Sequence, residues 1–130
     1  MLYLIDTDRV IDALQGVQPI QQLIQSLLPD GIAISIITYS EVYEGIYGSR
    51  DPQKAEQGFQ AFLQSIRILL ITHRVARQAA ETRNDLRSRR LQTNHRALDL
   101  FIASTALTYN LTLVTGNVKR FNDITGLTVL

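Results

Sequence analysis

Leu2-Tyr3-Leu4-Ile5-Asp6-Thr7-Asp8 is the stretch that decides the fold, because an apolar run ends there abruptly in carboxylates. Four β-compatible apolar residues without helical periodicity predict a strand buried on both faces of a parallel sheet. Sheets of that kind carry their ligand sites at the carboxyl ends of the strands. Asp6 is therefore expected on the rim of a cleft. A carboxylate buried in such a place is costly unless positive charge meets it, so the remaining acids become candidates for sharing a cation with it.

Outward from this strand, short apolar runs alternate with helical patterns. Asp8 is expected to cap a helix reaching about Leu14, which Gly16 breaks, and Pro19 to open a second helix with the stripe Ile20, Leu23, Ile24, Leu27 and Leu28. A strand over Ile32-Ala33-Ile34-Ser35-Ile36 follows, then a helix beginning at Thr38-Tyr39-Ser40-Glu41 with Tyr39, Tyr43 and Tyr47 at fourfold spacing. Asp51-Pro52 opens a helix with the stripe Ala55, Phe59, Phe62, Leu63 and Ile66, leading into the strand Ile68-Leu69-Leu70-Ile71. The pattern continues with a long helix from His73 to about Arg90, a second from Ala97 to Tyr109, and the strand Leu111-Thr112-Leu113-Val114. A short helix after Asn117 and a last strand, Leu127-Thr128-Val129, close the chain. The alternation predicts an α/β protein: one domain over residues 1–130, a three-layer α/β/α sandwich around a central, mostly parallel sheet.

Composition narrows the class. With 130 residues, 45% hydrophobic and 19% charged, the chain can bury a real core and does not have the composition of a disordered one. There is no cysteine, which excludes disulfides and thiolate metal sites and makes a reducing cytoplasm the expected compartment. No apolar run reaches membrane-spanning length, and no basic segment precedes a long apolar one, so neither membrane insertion nor export is expected. The net charge of +1 is too balanced to indicate a nucleic-acid partner by itself. Any electrostatic case must rest on how the charges are distributed.

Two further acids are expected at the rim. Asp99 lies in the first turn of its helix and shares a face with Ile102, Ala103 and Ala106, so its carboxylate belongs to the inward stripe. The small residues Ala103, Ser104 and Ala106 let that helix approach the sheet closely. Glu41 falls in the first turn after the second strand, although Thr38-Tyr39-Ser40-Glu41 also satisfies a capping box in which Glu41 serves only its own helix. If Asp6, Glu41 and Asp99 converge, they repel one another and raise their own pKa values unless a divalent cation compensates. Oxygen-only ligands suit Mg²⁺ or Mn²⁺.

Tyr3-Leu4-Ile5-Asp6-Thr7-Asp8, Ser40-Glu41, Asp99-Leu100-Phe101-Ile102-Ala103 and Leu113-Val114-Thr115-Gly116-Asn117 resemble, in order and spacing, the motifs of PIN-domain nucleases, especially the toxins of VapBC-type toxin–antitoxin pairs. The resemblance spans nearly the whole chain. It implies a central parallel sheet, a Mg²⁺- or Mn²⁺-dependent ribonuclease site, frequent homodimers, and inhibition by a small antitoxin protein. Asp6, Glu41 and Asp99 match the three core acids. Two departures stand out: Asp8 occupies a place where the family usually has Asn, and the common fourth acid is missing, with Asn117 in one of its usual places and Arg120 in the other. Asp8 is the candidate to compensate, though a helix cap is the alternative. Asn117 and Thr115 are candidates to bind a phosphate or a metal-held water, with capping of the short following helix as their alternative.

The implied chemistry is metal-assisted hydrolysis of RNA phosphodiester bonds, with no covalent nucleophile required. Arg83, Arg87 and Arg90 fall on one predicted helical face, while Arg89, Arg96, Lys119 and Arg120 flank the Asp99 and Asn117 motifs. A basic rim around an acidic centre would hold RNA through its phosphates. An ordinary solvated face, with Glu81 and Asp85 pairing to Arg77 and Arg89, is the alternative. Tyr39, Tyr43, Tyr47, Phe59 and Phe62 are expected either in the core or as a groove for an antitoxin helix. His73 and His95 lack metal-ligand spacing. Asp6-Thr7-Asp8-Arg9-Val10 is also similar to the opening motif of haloacid-dehalogenase-like phosphatases, but that family's later lysine and closing acidic pair do not follow. A non-catalytic RNA-binding module is the other alternative, prompted by the missing fourth acid.

Overall fold

The computed structural model describes residues 1–130. β1 (Tyr3–Ile5), β2 (Ile32–Ser35), β3 (Arg67–Leu69) and β4 (Thr112–Val114) form one sheet in the order β3-β2-β1-β4. Every pairing is parallel, with Leu4 of β1 opposite Ala33 of β2 and Leu113 of β4. Six helices connect and cover it: α1 (Thr7–Leu14), α2 (Gln18–Leu27), α3 (Ile36–Tyr47), α4 (Pro52–Leu63), α5 (His73–Ser88) and α6 (Ala97–Thr108). No helix is long and apolar enough to cross a membrane.

The layers follow from the side-chain period of two along the strands. Ile5, Ile32, Ile34 and Val114 pack on one face with Val10 of α1, Ile20 and Ile24 of α2, Val42 and Ile46 of α3 and Phe59 of α4. Leu4, Ala33 and Leu113 pack on the other with Leu86 of α5, Leu100, Ile102, Ala103 and Ala106 of α6, and Phe121. The sheet is apolar on both sides, which is why β1 and β2 read as unbroken apolar runs. Each fully buried leucine, isoleucine or phenylalanine contributes about 1.5–3 kcal/mol, so the two cores together hold the three layers.

The strand order carries the functional consequence. From β1 the chain steps to β2 and then β3, and then crosses back over the sheet to place β4 on the other side of β1. The reversal puts a crevice at the carboxyl ends of β1 and β4, where ligands bind in open α/β sheets. Gly31 sets the start of β1: at φ +85, with a Cβ that would stand 2.8 Å from the Met1 Cα, it lets Leu2 and Tyr3 both donate to its carbonyl.

Local differences from the sequence-based expectations have physical causes. Asp6, not Asp8, caps α1 by accepting from the Thr7 N–H, and Ser35, not the Thr38–Glu41 box, caps α3 by accepting from Ile37. Both helices thus begin directly from their strands without a loop. The third strand, at Arg67–Leu69, starts one residue before the expected run Ile68–Ile71 and stops two residues short of its end, because β2 pairs only with Arg67, Ile68 and Leu69. Residues 127–129 form a single bridge, Val129 to Leu113, with backbone bonds along the free edge of β4. Helix α5 stops at Ser88, and Arg90 adopts a left-handed φ of 58, so Arg90 leaves the helical face of Arg83 and Arg87.

Candidate active site

The ends of β1 and β4 are tied together by side chains. Asp6, only 1% exposed, accepts from the Thr115 hydroxyl through Oδ2 (2.7 Å) and from the Thr7 N–H through Oδ1 (2.8 Å). Burial raises its pKa above the ordinary carboxylate value and the neighbouring Asp8 charge adds to this, against the Thr115 and Thr7 hydrogen bonds and the Arg120 charge, which lower it. Two residues on, Asp8 Oδ2 accepts from the Gly116 N–H at 3.0 Å. Gly116 is required for that approach, since a Cβ there would stand 2.8 Å from the same oxygen and 3.3 Å from the Arg9 guanidinium.

Glu41 reaches the same rim from α3. Its Oε1 accepts from the Thr7 hydroxyl at 2.6 Å, and the Thr38 hydroxyl lies 3.0 Å from that Thr7 oxygen. A carboxylate only accepts, so the Thr7 proton goes to Glu41 and Thr38 supplies the proton of the second bond. Glu41 is thereby joined to Asp6 through one intervening residue rather than serving its own helix. Asp99, from the first turn of α6, is bound by Arg120: Nε donates to Oδ2 at 3.0 Å and Nη2 to Oδ1. The Arg120 pKa is raised, mainly by this hydrogen-bonded pair and also by the charges of Asp99, Asp6 and Asp8, while burial opposes the rise.

The expected meeting of Asp6, Glu41 and Asp99 at one point takes a different form. No three histidine, aspartate or glutamate side chains stand close enough to form a ready metal-holding group. Each acid here has its own donor: Thr7 and Thr115 for Asp6, Thr7 for Glu41, Arg120 for Asp99. The donor set nevertheless fits a hard divalent ion in kind, being all oxygen, and Asp8 Oδ1 is buried with no hydrogen-bond partner.

Several other expectations are corrected. The Thr115 hydroxyl is committed to Asp6, so it is not free for phosphate. Asn117 makes no side-chain cap of the helical turn at Val118–Arg120, and its N–H donates to the Thr115 hydroxyl. Arg96 is a structural clamp: its two Nη atoms grip the Asp123 carboxylate at 2.8 and 2.7 Å, and Nη2 also donates to the Arg120 carbonyl at 3.0 Å. Arg89 pairs with Asp85 at 2.7 Å, whereas Arg87 and Lys119 are exposed and form no ion pair. Phe59 is fully buried in the core and offers no surface to a partner. Tyr39, Tyr43 and Tyr47, with Ser40 and Glu56, line an open groove of about 460 Å³, whereas Phe62 is half-buried and lines a separate groove with Ala13, Ile24 and Leu28. Tyr43 donates to Glu56 at 2.8 Å, and that bond, with lesser contributions from burial and charge, pushes its pKa up to about 12. His73 and His95 are exposed.

Sequence reasoning passed over Thr7, Thr38, Arg9 and Gly116. A threonine between two aspartates at a strand end was the available signal for Thr7. Nothing in the sequence marks Thr38 as its partner.

A family model described as PIN domain matches residues 3–127. The chain belongs to the PIN-domain family. The similarity of the opening motif to phosphatases is set aside by a match that runs through all four motifs. This PIN domain is 30% identical to a protein named Ribonuclease VapC2 of Rickettsia felis, over 98% of the chain and 95% of the relative. It is 29% identical to Ribonuclease VapC1 of Haemophilus influenzae with the same coverage. Among solved structures, it resembles a chain of VapBC2 from Rickettsia felis bound to a DNA fragment from their promoter, with TM-score 0.90 and 27% identity over 100% of this chain and 98% of that one. VapBC-1 from nontypeable Haemophilus influenzae gives TM-score 0.85 at 27% identity, covering 100% of this chain and 97% of that one.

Proposed function

We propose that this PIN domain is a metal-dependent endoribonuclease toxin that hydrolyses RNA phosphodiester bonds and is held in check by a cognate antitoxin. The observation that supports the reading is the chain of contacts at the reversal of strand order: Asp6 and Asp8 are tied to Thr115 and Gly116, Glu41 is tied to Asp6 through Thr7, and Asp99 is held by Arg120, on which the charges of Asp6 and Asp8 also act. Full-length similarity to proteins named ribonucleases supports the activity, and likeness to VapBC assemblies supports the partner.

Asp6, Glu41 and Asp99, with Asp8, are the residues that would hold Mg²⁺ or Mn²⁺. Such an ion, when bound, supplies Lewis acidity toward water and toward the phosphate. Thr115 and Thr7 keep the Asp6 carboxylate in one orientation, and Thr7 does the same for Glu41. Arg87, Lys119 and the Asn117 amide are exposed and serve the RNA backbone, while Arg96 supports the segment that carries Lys119 and Arg120. The tyrosine groove on α3 is the surface proposed for an antitoxin helix, with Tyr39, Tyr43 and Tyr47 as its aromatic anchors.

The test is cleavage of short RNAs by purified protein with Mg²⁺, Mn²⁺ or chelator, together with Asp6→Asn and Asp99→Asn. Cleavage that requires added metal and disappears in both variants supports the proposal. Undiminished turnover in both variants refutes it, and tight RNA binding without cleavage under every metal condition would favour a non-catalytic binding module.

A further inference from the structure

Arg120 is the cation that grips a carboxylate of the acidic rim directly, while the Arg9 guanidinium stands beside Gly116 and pairs with Asp12 outside the rim. Its guanidinium forks over Asp99 through Nε and Nη2, and the charges of Asp6 and Asp8 also act on it. Its backbone is fixed: the Arg120 N–H donates to the Asn117 carbonyl at 3.1 Å, and its own carbonyl accepts from Arg96. The side chain is less confined, 42% exposed, with the guanidinium 5.6 Å from the Phe121 ring. A tethered base with a partly solvated head group can leave a carboxylate without unfolding anything around it. Asp99 has no other ion-pair partner, so whatever binds that carboxylate must take it from Arg120.

We propose that Arg120 is a resident counter-cation of the cleft, which neutralises Asp99 when no divalent ion is bound and must be displaced from it before the ion can take that ligand. The proposal rests on the reading of this rim as a divalent-metal site. Its consequence has two sides. Without metal, Arg120 relieves the repulsion among Asp6, Asp8 and Asp99 and so stabilises the fold. With metal, the same pair opposes binding, because a bidentate charge-assisted contact must be broken first. Removing the guanidinium therefore lowers the stability of the metal-free protein and tightens metal binding, and the rise in melting temperature on adding metal grows because the affinity does.

The experiment is calorimetric titration of MnCl₂ into wild type, Arg120→Gln, Arg120→Lys and Asp99→Asn, with melting curves of each with and without Mn²⁺. Arg120→Gln is expected to bind Mn²⁺ on the order of ten-fold more tightly than wild type, the equivalent of one charge-assisted hydrogen-bond pair. Arg120→Lys, which keeps the charge but cannot fork, should fall between the two and covers the case in which the glutamine variant folds poorly. Arg74→Gln, on the exposed side of α5, removes the same charge elsewhere and should leave affinity unchanged. An equal gain in Arg74→Gln would reduce the effect to net charge and overturn the proposal. If Asp99→Asn loses Mn²⁺ binding while neither Arg120 variant tightens it, the metal site stands and the counter-cation role falls. If Asp99→Asn binds Mn²⁺ as wild type does, both fall together.

Discussion

Thr115→Val removes one hydroxyl and keeps the shape of the side chain, so its cost isolates the bond that joins the end of β4 to the end of β1. Thr115 is 2% exposed, its donor lies 2.7 Å from Asp6 Oδ2, and its own oxygen accepts from the Asn117 N–H at 3.1 Å. A hydrogen bond to a buried charge contributes about 1.5–3 kcal/mol, and the valine methyl would leave the carboxylate oxygen facing carbon, so a loss of roughly 2–3 kcal/mol is expected near neutral pH. The pH dependence follows from Asp6. Burial places its folded-state pKa above the ordinary carboxylate value, so its protonated form favours the fold, and that contribution is lost as pH rises through the folded-state pKa. The Thr115 bond works against this shift; removing it pushes the pKa higher still. The cost of Thr115→Val is therefore largest near neutral pH and shrinks toward the roughly 1 kcal/mol of a neutral hydrogen bond as pH falls through the Asp6 pKa. Urea unfolding of wild type, Thr115→Val and Thr115→Ser at a series of pH values measures it, with serine restoring most of the loss. A cost below about 0.5 kcal/mol, or one that does not change with pH, would refute the reasoning.

Other expectations are as direct. Asp6→Asn should raise stability near neutral pH, because a charge disfavoured by burial is removed, while abolishing RNA cleavage; a lower urea midpoint would contradict the electrostatic account. Arg96 holds the Asp123 pKa below its ordinary value, so the ion pair stabilises the fold above the unfolded pKa and is lost as pH falls through the folded one. Asp123→Asn should therefore cost about 1 kcal/mol near neutral pH, and the difference should vanish in acid, as urea midpoints against pH would report. Arg90→Gly should stabilise by roughly 0.5–1 kcal/mol, since Arg90 sits at φ 58 just beyond α5, where glycine is unstrained; a loss in thermal melting would count against that strain.

What the sequence made legible was whatever depends on pattern. Ile32-Ala33-Ile34 and Leu2-Tyr3-Leu4-Ile5 announced strands covered on both faces, and the acids beyond them announced a rim, because both signals are local. What escaped depended on direction and on distant partners. Asp6 and Asp8 are equally good caps by composition, and only the departure of α1 straight from β1 gives the role to Asp6. The box Thr38–Glu41 satisfies a local rule, yet Glu41 gains a stronger donor from Thr7, 34 residues away in the chain. Phe59 belongs to an amphipathic stripe whose centre is core and whose edge is groove, and spacing alone does not separate the two. Arg96 and Arg120 read alike as basic residues flanking the site, but one clamps Asp123 and the other Asp99.

The same distinction explains why this cleft depends on complete folding. Its first carboxylate and the hydroxyl that orients it are 109 residues apart, and Asp8 meets Gly116 across 108. Neither contact can form until the chain has crossed back over the sheet and placed β4 against β1. Closing so long a loop is entropically costly, and short polar contacts at its ends cannot offset that cost; the burial of Leu4, Leu113 and the α6 face does. Hydrophobic closure therefore comes first in the energetics, and the polar rim is assembled as its consequence. Loss of the Thr115 hydroxyl should accordingly appear as a single cooperative shift in unfolding, with no separate early transition, because the groups that hold the site are the groups that end the two central strands.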